Sequence, residues 1–159
     1  MRGRFDGPNP GSEHDRGAAS AAPRSARALR EAELLRELGA AADGQEQTYR
    51  LLVGVLLRDP GELEALRAET VSPLMAYDSE HGTELVETLR EFLLRDGSTT
   101  ETAERMRLHR HTVGYRLARV LEVSGLSPYE SDGRERLSLG LKADQLLAAN
   151  EHLSKSKHE

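Results

Sequence analysis

Apolar positions recur at helical spacing along most of the chain, and no stretch alternates in the two-residue period of a half-buried strand. From Ser25 to Leu38 one side carries Ala28, Leu29, Ala32, Leu35 and Leu38, with Ser25 placed to cap. Glu46 to Arg58 has Tyr49, Leu52, Val53, Leu56 and Leu57 on its main stripe. Leu51 and Val55 widen it almost all round, which marks a helix buried in a domain or against another chain. Asp59-Pro60 supplies a cap and a first-turn proline for a short helix over Glu62 to Glu69. Ser72-Pro73 interrupts it, and a turn or two follows at Leu74 to Tyr77. Gly82 to Arg95 buries Leu85, Leu89, Phe92 and Leu93, and Gly97 stops it. The last helix is expected from Asp132, with Glu135 as capping-box partner, to about Leu153.

Between these lies Thr99–Gly125, two short helical patterns around a tight break. Thr100 to Met106 has Ala103 and Met106 on its apolar side. Arg110 to Val123 sets Val113, Leu117, Val120 and Leu121 on one stripe. Arg105, Arg107, Arg110, Arg116 and Arg119 fall here with no acid between Arg105 and Leu121. A basic amphipathic helix after a short helix and a tight turn is how a helix-turn-helix offers a recognition helix to DNA. The fold class expected is all-α, a helical domain containing a helix-turn-helix DNA-binding motif.

Composition narrows the rest. Residues 1–24 are rich in Gly, Pro, Ser, Ala and charge without apolar periodicity, and read as a disordered tail. The net charge of −5 argues against a nonspecific nucleic-acid coat, but not against a local basic reader. Six aromatic residues and no tryptophan disfavour base-stacking platforms for single strands or RNA. No cysteine is present, so neither disulfides nor thiolate metal sites arise. Neither a membrane-length apolar run nor a signal-peptide core is found, and a soluble cytoplasmic protein without membrane partner is expected.

The string H-R-x-T-V-x-Y-R-L at His109 to Leu117, with Tyr77-Asp78, Thr88-Leu89 within ELVETLREFL, and Thr102-Ala103, resembles the C-terminal helix-turn-helix domain of PucR/CdaR-type transcriptional regulators. The trailing RERLSLGL resembles the family's final helix, and TYRLLVGVLLRDPGELEALRAETVSPL resembles the segment before its DNA-binding helices. Two positions depart from the family: His111 stands where Asn is usual, and Gly114 where a larger, frequently basic residue is common. The resemblance implies a Fis-like helix-turn-helix, double-stranded DNA as partner, and no enzymatic activity or cofactor. A homodimer is expected, and a separate sensor domain or effector partner is possible. The expected division is a tail at 1–24, a connector or dimerisation segment at 25–76, the DNA-binding domain at 77–153, and a frayed end at 154–159.

Within that reading Arg110 and His111 reach base edges, and Arg suits guanine O6 and N7. His109 caps or orients the helix start. Thr112 caps, touches a phosphate or meets a thymine methyl. Gly114 reflects either drift or close approach of the backbone to DNA. Tyr115 turns its hydroxyl to a phosphate or base, or else packs half-buried on the preceding turn. Arg116 and Arg119 clamp phosphates. Thr100 and Thr102 sit where a helix N-terminus meets backbone phosphate, or cap it. Ala103, Leu108, Val113 and Leu117 hold the core. Metal binding by His109 and His111 is disfavoured because no third ligand lies nearby in sequence. Asp78, Glu80 and His81 read as a loop and helix start, not as a catalytic cluster. The alternative to a DNA reader is a helical protein-interaction module that kept the fold and lost specific readout.

Overall fold

A computed structural model describes residues 25–39 and 45–158, together with Gly3. The tail expected at 1–24 falls outside the described residues, Gly3 apart. Eight helices and no strands are found among them. They are α1 (Ala26–Leu38), α2 (Glu46–Leu56), α3 (Pro60–Thr70), α4 (Ser72–His81), α5 (Leu85–Leu94), α6 (Thr99–Met106), α7 (Arg110–Ser124) and α8 (Ser131–Ser156). The fold is all-α.

Local chemistry sets most boundaries. Ser25 Oγ accepts from the Ala28 amide at 3.2 Å, and Asp59 Oδ1 accepts from Gly61 at 2.9 Å. Each satisfies an N–H that the first turn of a helix leaves without a partner. Gly39, Gly82 and Gly125 close α1, α4 and α7 in the left-handed region, where glycine pays no Cβ penalty. Pro73 marks the expected break, α3 ending at Thr70 and α4 starting at Ser72. It lies in the first turn of α4, where its missing N–H costs nothing, and α4 runs on to His81. Gly82 therefore ends α4 instead of opening α5, which begins at Leu85.

The N-terminus of α5 is capped from a distance. Asp78 on α4 accepts from the amides of Leu85 at 2.8 Å and Val86 at 3.0 Å, and from Thr83 Oγ1. Asp78 is thus a structural cap, and a carboxylate suits the positive end of a helix.

Three apolar clusters form the core. Leu34, Leu52, Val53, Leu56 and Leu63 pack with Ala143, Leu146, Leu147 and Ala149 at one end. Val71, Leu74, Leu85, Leu89, Val120, Leu126, Leu137 and Leu141 fill the middle. Phe92, Ala103, Val113 and Leu117 lie under the helix-turn-helix. α8 serves the first two, and at two glycines its backbone is closely approached, by the Thr70 side chain of α3 and by the chain just before α8. A Cβ at Gly140 would stand 1.9 Å from Thr70 Oγ1, and one at Gly133 would stand 2.3 Å from the Ser127 carbonyl oxygen.

Five expectations change. Leu34, not Leu29, is the buried centre of α1, and Leu29 is exposed. Leu121 leaves the buried stripe of α7 and is 44% exposed. α8 begins at Ser131, and Glu135 accepts from Ser131 Oγ at 3.4 Å instead of closing a capping box. α8 also continues to Ser156, past the point where fraying was expected. Arg30 donates to Ser154 Oγ and Lys157 to Glu33 there. The boundary expected between residues 76 and 77 falls inside α4.

Candidate nucleic-acid interface

The helix-turn-helix is assembled around Phe92. This fully buried ring of α5 packs with Ala103 of α6 and with Val113 and Leu117 of α7. Ala103 is 5% exposed, so α6 can approach α7 closely only because its side chain is a methyl group. Leu108 completes the contact from the turn.

The turn itself is compact. α6 ends at Arg107 in the left-handed conformation, φ 55°, a position where glycine is usual. The Leu108 amide donates to the Ala103 carbonyl at 2.9 Å and Arg107 to Glu104 at 3.2 Å, so the carbonyls at the end of α6 find partners. His109 then caps α7, its Nδ1 accepting from the His111 amide at 3.2 Å. The two imidazoles stack, centroids 5.0 Å apart, because the cap residue lies outside the helical spiral. No group of three or more potential metal ligands occurs among the described residues.

The exposed surface of the first turns of α7 consists of Arg110, His111, Thr112 and Tyr115, with Gly114 half-buried among them. A Cβ at Gly114 would meet nothing within 4 Å, so no internal packing demands glycine there. Thr100 is exposed on the first turn of α6. The capping role belongs to Ser98, whose Oγ accepts from Glu101.

Three of the expected contact residues are placed differently. Thr102 is fully buried, and its hydroxyl donates to the Ser98 carbonyl at 2.7 Å. A closed surface and an engaged hydroxyl remove it from a backbone-contact role. Arg116 is not a free phosphate clamp. Its guanidinium donates to Glu84 Oε2 at 3.0 Å and to the Thr88 hydroxyl at 3.2 Å, joining α7 to the start of α5. Arg119 donates to Glu122 at 2.6 Å and to the Tyr115 hydroxyl at 2.8 Å. It also lies near the rings of Tyr77 and Tyr115. The Tyr115 hydroxyl, and then the Glu122 charge, raise its pKa above the ordinary arginine value. Tyr115 is 63% exposed and so is not the half-buried packing residue that was the alternative.

The positive surface is therefore narrower than five arginines suggest. Arg107 and Arg110 are exposed and carry no ion pair among the described residues. Arg105 is exposed and stands 3.8 Å from Glu91. These three surround the turn and the start of α7. Arg107 was counted among the arginines of this segment but not among the expected contact residues. Its signal was a non-glycine residue at the helix-ending position of a helix-turn-helix.

Comparison with known proteins agrees with this geometry. Residues 85–143 match the PucR C-terminal helix-turn-helix domain, from the first residue of α5 to the middle of α8. Over 68 residues, 43% of this chain, the sequence is 37% identical to the proline-responsive transcriptional activator PutR of Bacillus subtilis (strain 168). That stretch spans only 16% of the relative's length. No solved structure matches the chain. No helix among the described residues is long and apolar enough to cross a membrane. The segment from Leu85 to Ala143, with HRHTVGYRL at its centre, thus matches the PucR C-terminal helix-turn-helix domain in sequence and has the helical order of a helix-turn-helix.

Proposed function

We propose that the chain is a sequence-specific double-stranded DNA-binding transcriptional regulator that acts by binding and not by chemistry. α7 enters the major groove from its N-terminal end, and α6 crosses the backbone. The observation that carries this reading is the bare start of α7. Arg110, His111, Thr112 and Tyr115 share an exposed surface beside the unpaired Arg107, over a motif of the PucR type. Similarity to a transcriptional activator over the same region supports it.

Arg110 reads a guanine edge, and His111, Thr112 and Tyr115 contact neighbouring bases or phosphates. Thr100, Arg105, Arg107 and His109 lie along the backbone path, with Arg119 reaching it from its pair with Glu122. Gly114 lets the helix backbone approach the duplex. Affinity falls steeply with salt because the arginines displace counterions. Selection from random duplex DNA is expected to recover one motif, lost with Arg110→Ala. Recovery of no motif at low salt overturns the reading.

One unit buries too little surface for tight specificity, so the protein binds as a dimer on half-sites about 34 Å apart. The dimer surface proposed is the outer face of α1 and α2, where Leu29 and Leu51 are 51% and 65% exposed. Sedimentation that stays monomeric at micromolar concentration, with and without operator DNA, overturns this part.

One observation favours a second reading, a protein-interaction module. The acids Glu84 and Glu122 hold Arg116 and Arg119, and Tyr115 and Leu121 stand exposed on the same helix. The duplex selection distinguishes the two.

A further inference from the structure

Away from the helix-turn-helix, a cavity of about 280 Å³ opens where the α1–α2 end of the molecule meets α5 and α8. Its apolar wall is made by Leu38, Leu93, Leu94 and Leu141. Its polar side carries two cations, Arg90 of α5 and Lys142 of α8, with Tyr49, Ser138 and Gln145 beside them. No acidic side chain lines it among the described residues.

Both cations are incompletely satisfied. Arg90 pairs through Nη1 with Glu87 at 2.7 Å, but its Nε is buried without a hydrogen-bond partner. A buried N–H left unpaired costs about 1–3 kcal/mol, more when it belongs to a charged group. Lys142 donates to the Ser138 hydroxyl at 2.8 Å and has no carboxylate partner among the described residues. Burial lowers its pKa, as expected of an ammonium withdrawn from water without a counter-charge. A protein gains nothing in stability by holding two such groups around one apolar-walled space.

We propose that this cavity is a binding site for a small organic anion, an aliphatic carboxylate whose charge is met by Arg90 and Lys142 and whose carbon chain lies on Leu38, Leu93, Leu94 and Leu141. The volume sits at the lower end of small-molecule sites and suits a ligand of few heavy atoms. The site joins two parts of the fold, because Leu38 and Tyr49 come from α1 and α2 while Arg90 and Leu93 come from the helix beneath α6 and α7. A bound anion ties them together through α5.

The site is tested on the full chain without DNA, so its outcome is independent of the DNA-binding reading. Titration with glutarate and with butyrate, followed by amide chemical shifts in NMR, is expected to give saturable shifts at residues around Leu38, Arg90 and Lys142. Glutaramide, the neutral analogue, is expected to give none. Lys142→Met and Arg90→Gln are each expected to weaken the carboxylates about tenfold or more, the loss of a charge-assisted contact. Lys142→Met removes a half-buried charge, so it keeps the fold intact and its thermal melt checks this. No saturable binding of either acid at millimolar concentration overturns the proposal, as does binding that both variants leave unchanged.

Discussion

The two halves of α7 carry similar residues in opposite circumstances. In the first two turns, Arg110, His111, Thr112 and Tyr115 face outward, and Arg110 has no acidic partner among the described residues. In the later turns, Arg116 reaches across to Glu84 and Thr88, and Arg119 is held by Glu122 and Tyr115. One half presents charge and the other uses it to fix the helix in place. Basic character along a helix is therefore not one property. An arginine with a partner must give that partner up to reach a phosphate, while an unpaired one gives up only water.

The largest effect is expected where both halves share a foundation. Ala103→Leu inserts three carbons against Phe92, Val113 and Leu117. Overpacking of this kind costs about 1–3 kcal/mol and sometimes more. Circular dichroism is expected to show a clearly lowered melting temperature, with DNA binding lost alongside it. A variant that melts like the parent would mean that α6 and α7 do not cross closely at Ala103.

Arg110→Ala comes next and separates the halves directly. Loss of a bidentate base contact is expected to cost about 1–3 kcal/mol of binding and to relax specificity at one base pair. Because Arg110 is exposed and its side chain makes no hydrogen bond or ion pair among the described residues, the variant's melting temperature should stay that of the parent. A lowered melting point would show that the start of α7 is held by Arg110 after all.

Arg116→Ala is the converse. It leaves the Thr88 hydroxyl short of a donor and frees Glu84, and a loss of about 1 kcal/mol of stability is expected. DNA affinity should change much less than for Arg110→Ala. If a mobility shift weakens as strongly as with Arg110→Ala while the melt is unchanged, Arg116 is a phosphate contact and the two halves do not differ.

Some of this division was legible in the sequence and some was not. The caps at Ser25, Asp59 and His109 and the small residue Ala103 are local signals, readable within one turn. HRHTVGYRL located the motif by itself. Which leucine of α1 faces inward was not legible: Leu29 and Leu34 lie about 140° apart around the helix, and only its packing on α2 and α8 selects Leu34. Leu121 likewise had the right spacing but faces past the edge of its neighbours. The pairing of Arg116 with Glu84 spans 32 residues and depends on how α5 meets α7, so periodicity could not report it. Thr102 looked like a surface threonine at a helix start, yet its hydroxyl bonds back to Ser98 and its methyl group is buried. The cavity between α1, α2, α5 and α8 arises from segments far apart in the chain.

Gly114 gives the smallest expected effect and the sharpest test of the exposed half. Glycine inside a helix costs up to about 1 kcal/mol relative to alanine. A Cβ at this position meets nothing within 4 Å, so Gly114→Ala should recover that amount and raise the melting temperature by about 2–4 °C. The fold alone therefore gives no reason for glycine here, and a reason must come from outside the chain. If the α7 backbone approaches the duplex at this turn, the added methyl group stands between them, and Gly114→Ala should bind its operator more weakly while being more stable. Gain in stability with unchanged affinity would place Gly114 off the contact surface and shift the reading face toward Arg107 and Arg110 at the turn. Opposite signs for folding and binding from one methyl group cannot come from a change in packing, because packing moves both the same way.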